Sequence, residues 1–265
     1  MKIDFHTHCF PDALAAKALP MLAKEAGNLP CFTDGTVAGL EASMAQSGID
    51  RSVMLQISVK PSQNKTVNTW AIERLETNPR IIPFGSVHPL SDDWHEELGR
   101  LAAAGVKGVK FHPEYQRTYV NDPVMLPIYD RISELGLIAV FHAGVDIGVA
   151  PPVHSCPAHF AEVIDRLPRN KTVLAHCGGW KMWADAESML AGSHLFFDTS
   201  FSSPYMPRGA MSALIAKHGA GKFLMGSDSP WASQQSALDD VRSLELPAED
   251  EAAIFGGNAA KLLGI

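Results

Sequence analysis

The stretch KIDFHTH, residues 2–8, decides how this chain is read. Apolar and polar side chains alternate through Ile3, Asp4, Phe5, His6 and Thr7, the period of a strand with two unlike faces. On an unbroken strand His6 and His8 share one face, so both imidazoles are expected to point inward. Ile3, Phe5 and Thr7 are then expected to point outward, toward helices. Taken alone, an HxH reads first as two hydrogen-bonded histidines; only further donors nearby turn it into a chelate.

Seven more apolar runs of strand length follow: SVMLQIS (52–58), IIPFGSVH (81–88), VKGVKFH (106–112), LIAVFHA (137–143), TVLAHC (172–177), LFFDTS (195–200) and KFLMGSD (222–228). Amphipathic segments such as DWHEELGRLAAAG, DPVMLPIYDRISELG and AHFAEVIDRLP separate them. Gly105, Gly136, Gly219 and Gly221 stand between helix and strand, where a C-cap or tight turn favours glycine. Regular βα alternation implies parallel strands with right-handed crossovers. Eight such units in 265 residues predict an α/β fold, one (β/α)8 TIM barrel in a single domain spanning 1–265. No GxGxxG follows the first strand, so the phosphate loop of a dinucleotide-binding sheet is missing.

Hydrophobic residues make up 46% and charged residues 19%, the balance of a globular chain with a sizeable core. A net charge of −7 argues against nucleic acid, whose phosphates reward a basic face. No run approaches the roughly 20 apolar residues that cross a bilayer. The chain enters a strand directly, without the charged and apolar regions of a signal peptide, so a cytoplasmic protein is expected. Cys9, Cys31, Cys156 and Cys177 form no CxxC pair and are expected as reduced thiols, Cys9 and Cys177 as small buried residues. Barrels of this kind often dimerise, so a homodimer is allowed, though nothing in the pattern marks an interface.

Six of the eleven histidines, His6, His8, His88, His112, His142 and His176, lie at the C-terminal ends of these strands. Those ends form the active-site face of an α/β barrel. The opening IDFHTH, VFHAG (140–144), LAHCGG (174–179), GSDSP (226–230) and the closing GGNAAKLLG (256–264) together resemble the amidohydrolase superfamily. More narrowly, they are similar to the branch that includes aminocarboxymuconate-semialdehyde decarboxylase. The resemblance implies a metal-dependent hydrolase-type TIM barrel binding one Zn2+, with a second ion or Mn2+ as alternatives. It makes His6, His8, His142 and Asp228 the metal ligands, and His176 a partner of the metal-bound water or the substrate. It also makes Asp228 and His176 the catalytic pair.

Lys110 and His112 share a face of the fourth strand and are candidates to meet substrate. Lys110 reads either as a carboxylated bridge between two ions or as a plain ammonium facing a substrate carboxylate. His88 either lines the pocket or caps its strand, and a surface reading suffices for His95, His154, His159, His194 and His218. Trp180, Lys181 and Trp183 follow strand six, Tyr205 and Arg208 strand seven, Trp231 strand eight, and Glu114 to Arg117 strand four. Among these Trp180, Arg208 and Trp231 are the candidate substrate contacts; aromatic walls with a few cations suit a small acid.

The expected reaction is hydrolysis of a small ester, lactone or amide-type carboxylic acid by a zinc-activated water. The alternative is non-oxidative decarboxylation of an aromatic or unsaturated acid. The absence of a long insertion that could close over an aromatic acid favours hydrolysis.

Overall fold

In the computed structural model, which describes residues 1–265, all eight expected strands are present and every paired neighbour runs parallel. They are β1 (Ile3–Thr7), β2 (Arg51–Leu55), β3 (Ile81–Phe84), β4 (Gly108–Phe111), β5 (Ile138–Phe141), β6 (Thr172–Leu174), β7 (Phe196–Asp198) and β8 (Phe223–Leu224). They pair as a three-stranded sheet, β1–β2–β3, and a five-stranded sheet, β4 to β8 in order. Two seams join the sheets into a ring. At one, Gly85 pairs with Val109, and Lys110 N–H donates to Gly85 O at 2.8 Å. At the other, Thr7 pairs with Ser229, and Phe5 N–H donates to Met225 O at 2.8 Å. The strands are shorter than the apolar runs, so His8, His88, His112, His142, His176 and Asp228 stand just past strand ends rather than on them.

Two apolar clusters divide the core. The smaller gathers Ile3, Phe5, Val53, Leu55, Ile82, Phe84, Ile138, Val140, Val173, Phe196 and Leu224, drawn from seven of the strands. This is the barrel interior, closed below by Ala259 and Leu263 of the terminal helix Asn258–Leu263. Asn258 fixes that helix by donating to Ala220 O and Phe223 O, each at 2.8 Å. The larger cluster takes the alternate residues, Met54, Val109, Phe111, Ala139, Phe141, Leu174 and Phe197, against the outer helices.

Ile3 and Phe5 therefore face inward, contrary to the expectation from unbroken alternation. The reason is a register shift in β1. Asp4 pairs with Ser52 but Thr7 with Met54, so three steps on β1 match two on β2. The extra residue is a bulge, which reverses the facing of everything after it. Below it Ile3 and Phe5 fill the interior; above it His6 and His8 take over.

The interior is full. Phe5 and Phe84 meet edge to face at 5.9 Å, and the inward position on β4 is Gly108. A Cβ there would strike the Phe84 ring and lie 2.5 Å from Ile138 O. Gly108→Ala is expected to cost about 1–3 kcal/mol through overpacking. In a thermal melt this lowers Tm by several degrees, whereas Gly221→Ala, where a Cβ meets nothing within 4 Å, leaves it unchanged. Equal melting of the two variants would contradict a packed interior.

Candidate metal centre

Above the aromatic plug, the loops after the strands set a basin of imidazoles and carboxylates. His6 Nδ1 lies 2.8 Å from Asp198 Oδ2, a buried carboxylate. Burial works against the charge of Asp198, yet His6 and His176 hold its carboxyl well below the usual carboxylate range. An ionised carboxylate only accepts, so His6 Nδ1 carries the proton and Nε2 is bare. His8 Nδ1 lies 3.0 Å from Leu55 O, which also only accepts, so His8 Nε2 is bare as well.

These two bare nitrogens stand 3.1 Å apart, and Asp228 Oδ1 lies 3.3 Å from one and 3.2 Å from the other. Asp228, despite burial, is held at about 2 by its imidazole neighbours, His6 foremost. Three acceptors thus face one another with no proton to share among them. Donors bound tetrahedrally to one Zn2+ at about 2.0–2.2 Å stand roughly 3.3–3.6 Å apart, and these three lie at or slightly inside that span, so the group fits a divalent ion.

The backbone confirms the placement of the carboxylate. Asp228 adopts φ 71°, and its N–H donates to His6 O at 2.8 Å. His176 and Cys177 also lie in the left-handed region, at φ 58° and 57°. Non-glycine residues there cost of the order of 1–3 kcal/mol each and persist where surroundings enforce them. Ser200 joins the two halves: its hydroxyl contacts Asp198 Oδ1 and lies 3.0 Å from both His6 Nδ1 and His176 Nδ1.

His142 is not among the three. His176 Nδ1 donates to Ser200 O at 3.0 Å, leaving its Nε2 to accept from His142 Nδ1 at 3.1 Å. His142 Nε2 is then bare, buried and without a hydrogen-bond partner. It falls in a neighbouring group with His112 and Asp146. Lys110 is 1% exposed, and its Nζ also has no partner. Burial pulls its ammonium down to about 8, against the pull of Asp198, Asp228, Glu114 and Asp146.

The other expected residues scatter. Trp180 is buried, donates to Phe201 O at 3.1 Å and meets Tyr205 edge to face at 5.4 Å, with Lys181 over its ring. Arg208 is exposed. Trp231 lines a cavity between the ends of β7 and β8 and the helix Gln234–Arg242, whose lining includes none of the basin histidines. His88 caps its strand end, its Nδ1 accepting from Leu90 N–H at 3.2 Å. His218 is a core residue rather than a surface one: it stacks on Phe197 at 4.1 Å and bonds Leu195 O.

Asp198, Ser200 and Asp146 were not singled out from the sequence. The one available signal was position, an aspartate within LFFDTS and another four residues after His142.

Burial lowers His6 and His218 to about 4, and His112 and His142 also below their ordinary value. These groups stay neutral when folded but take a proton when unfolded, so their stability contribution is lost as pH falls below about 6.5. Asp4, raised by burial to about 6, and Glu114, raised to about 7, act with the opposite sign. Four imidazoles outweigh two carboxyls. The urea midpoint of the metal-free protein is expected to fall between about pH 7 and pH 5; a level or rising midpoint would mean that these buried imidazoles are charged in the native state.

Residues 3–265 match the family described as Amidohydrolase. A search of curated proteins gives no significant match. Among solved structures, 5-carboxyvanillate decarboxylase from Sphingomonas paucimobilis aligns over 100% of this chain and 99% of its own, at 17% identity and a TM-score of 0.75. The same activity from Novosphingobium aromaticivorans, solved with manganese and a nitrobenzoic acid, aligns over 100% and 96%, at 16% identity and a TM-score of 0.74. A probable 2-pyrone-4,6-dicarboxylic acid hydrolase from Acinetobacter baumannii aligns over 100% and 99%, at 18% identity and a TM-score of 0.70. At these identities the likeness shows the barrel fold.

Proposed function

We propose, from the premise that this chain belongs to the amidohydrolase family, that it is a metal-dependent decarboxylase of a small aromatic or unsaturated acid. One observation carries the reading: a basin in which three bare donors converge also holds a buried ammonium with no partner. A divalent cation held by His6, His8 and Asp228, Zn2+ or Mn2+, would supply Lewis acidity toward the substrate oxygens.

Lys110 would take a substrate carboxylate, an attraction strengthened by the low dielectric around a side chain that is 1% exposed. Breaking the bond to the departing carboxylate releases carbon dioxide and leaves an electron pair on carbon, which must be protonated. That proton would come from water, taken up and passed to carbon by Asp228 or by His176 Nε2, both bare at rest, and the hydroxide left behind would depart with the carbon dioxide as bicarbonate. Asp198 keeps His6 in the tautomer whose Nε2 faces the ion. The aromatic wall of Trp180, Phe201 and Tyr205 would flank a planar substrate, with Arg208 on the exposed rim.

The buried ammonium and the decarboxylases among the similar structures outweigh loop length, on which the preference for hydrolysis rested. Hydrolysis of a lactone or ester-like acid is the second reading, supported by the likeness to the pyrone dicarboxylic acid hydrolase. In it the same basin would accept a carbonyl, and Asp228 would take a proton from water.

Metal-loaded protein is expected to release carbon dioxide from hydroxylated benzoic or conjugated acids, measured by a coupled bicarbonate assay. Asp228→Asn should lower kcat roughly 10²- to 10⁴-fold, and Lys110→Met should raise KM roughly 10- to 100-fold through loss of a charged hydrogen bond. Lactone opening without carbon dioxide would select the second reading. Neither activity across a panel of acids and lactones would overturn both.

A further inference from the structure

Outside the basin, between the ends of β7 and β8 and the helix Gln234–Arg242, lies the cavity that Trp231 lines. Its volume is about 200 Å³, smaller than the roughly 300–1,000 Å³ of sites for drug-sized ligands, so its occupant is small. We propose that this cavity binds a quaternary ammonium group, held by the rings of Phe32, Phe201, Tyr205 and Trp231 and by the carboxylate of Asp240.

The charge of the cavity is unanswered. Its 15 lining residues include one carboxylate, that of Asp240, and no lysine, arginine or histidine. The arginine on the same helix is turned elsewhere. Arg242 Nη1 lies 2.6 Å from Asp239 Oδ1, and its guanidinium stands over the Phe255 ring at 5.8 Å. Burial pushes the Asp240 carboxyl above its ordinary value, against the Ser203 hydroxyl, and the adjoining Asp239 adds to the rise. A cation in the cavity would relieve both effects.

Aromatic surface is also left open here. Phe32 is 55% exposed although its N–H is tied to Pro230 O at 2.8 Å. Trp231 follows Pro230 directly, and its own N–H donates to Asp228 O at 2.8 Å. Tyr205, 41% exposed, packs on Phe201 with ring centroids 5.1 Å apart. The negative faces of aromatic rings attract a cation, and a group of such rings is the usual device for a quaternary ammonium.

The hydroxyls of the lining decide between classes of cation. Thr199 Oγ1 accepts from Gly226 N–H at 3.2 Å, and Ser227 Oγ donates to Asp4 Oδ2 at 2.6 Å. Ser233 Oγ accepts from Ser236 N–H at 3.4 Å, while Ser236 Oγ donates to Ser233 O at 2.9 Å. These four groups are already engaged inside the protein. A primary ammonium brings three N–H donors and would find few acceptors beyond Asp240. A methylated nitrogen donates nothing, so rings and one carboxylate suffice for it. Neither a metal nor either reaction is needed for this binding, because none of the metal donors lines the cavity.

The test is titration calorimetry of the intact chain with choline, with butylammonium, and with 3,3-dimethylbutan-1-ol, the uncharged molecule of choline's shape. Choline is expected to bind saturably and at least about 10-fold more tightly than the alcohol, in metal-loaded and metal-stripped protein alike. Asp240→Asn keeps an acceptor for the Ser203 hydroxyl and removes the charge; it should weaken choline at least about 10-fold. Trp231→Leu should weaken it about fivefold or more. Thermal melts close to that of the parent establish that both variants are folded. In spectra of the 15N-labelled chain, choline should move the indole N–H signal of Trp231 and leave those of Trp70 and Trp94, which pack on the core, in place.

Absence of saturable choline binding, equal affinity for choline and the alcohol, or tighter binding of butylammonium would overturn the proposal. Full choline affinity in Asp240→Asn would do the same, leaving that carboxylate as an anchor for the Ser203 hydroxyl alone. So would binding that vanishes when metal is stripped, since the ligand would then sit in the basin.

Discussion

The extra residue in β1 governs what the rest of this barrel can do. Between Asp4 and Thr7 the strand changes which face it presents, and the interior changes from hydrocarbon to imidazole within one residue. Phe5 belongs to the packed floor, and His6 beside it belongs to the basin. Without the bulge one of them would have to leave the interior, because a regular strand sends neighbours to opposite faces. The bulge is held by Asp4, which is completely buried and accepts from Ser227 and Gln234 on the adjoining segments. Gly226 completes the fit, since a Cβ at that position would lie 2.9 Å from the Cβ of His6.

From that change of face the electrostatics follow. A floor of Phe5, Phe84 and the terminal helix keeps water out from below, so every charge above it sits in a medium that penalises isolation. Burial lowers the Lys110 ammonium to about 8, and nearby carboxylates, Asp198 and Asp228 foremost, work against that fall. Burial keeps His6 and His142 neutral, and neutral imidazoles are what a metal requires. Asp198, Leu55 O and Ser200 O then choose which nitrogen of each ring is bare. The barrel thus assembles donors with their protons already turned away from the centre.

The structure also divides labour among histidines that look alike in sequence. His6 and His8 converge on Asp228, His142 and His176 form a wire anchored on Ser200, and His112 faces Asp146. His88 and His218 hold turns and core. The difference lies in what each second nitrogen meets, a carbonyl, a carboxylate or another ring.

The sequence by itself determined the eight βα units, the barrel fold, the six histidines near strand ends and the aspartate after the last strand. These depend on local periodicity and on the order of elements, which a linear pattern records. Only the tertiary structure decided which way Ile3 and Phe5 point, because a one-residue bulge leaves the apolar alternation looking unbroken. It also brought in Asp198, Ser200 and Asp146, whose partners lie 192, 24 and 34 positions away. It set His142 beside His112 and Asp146 rather than in the convergence on Asp228. Tautomers and donor spacings of a few tenths of an ångström arise where distant segments meet, and no spacing along the chain encodes them.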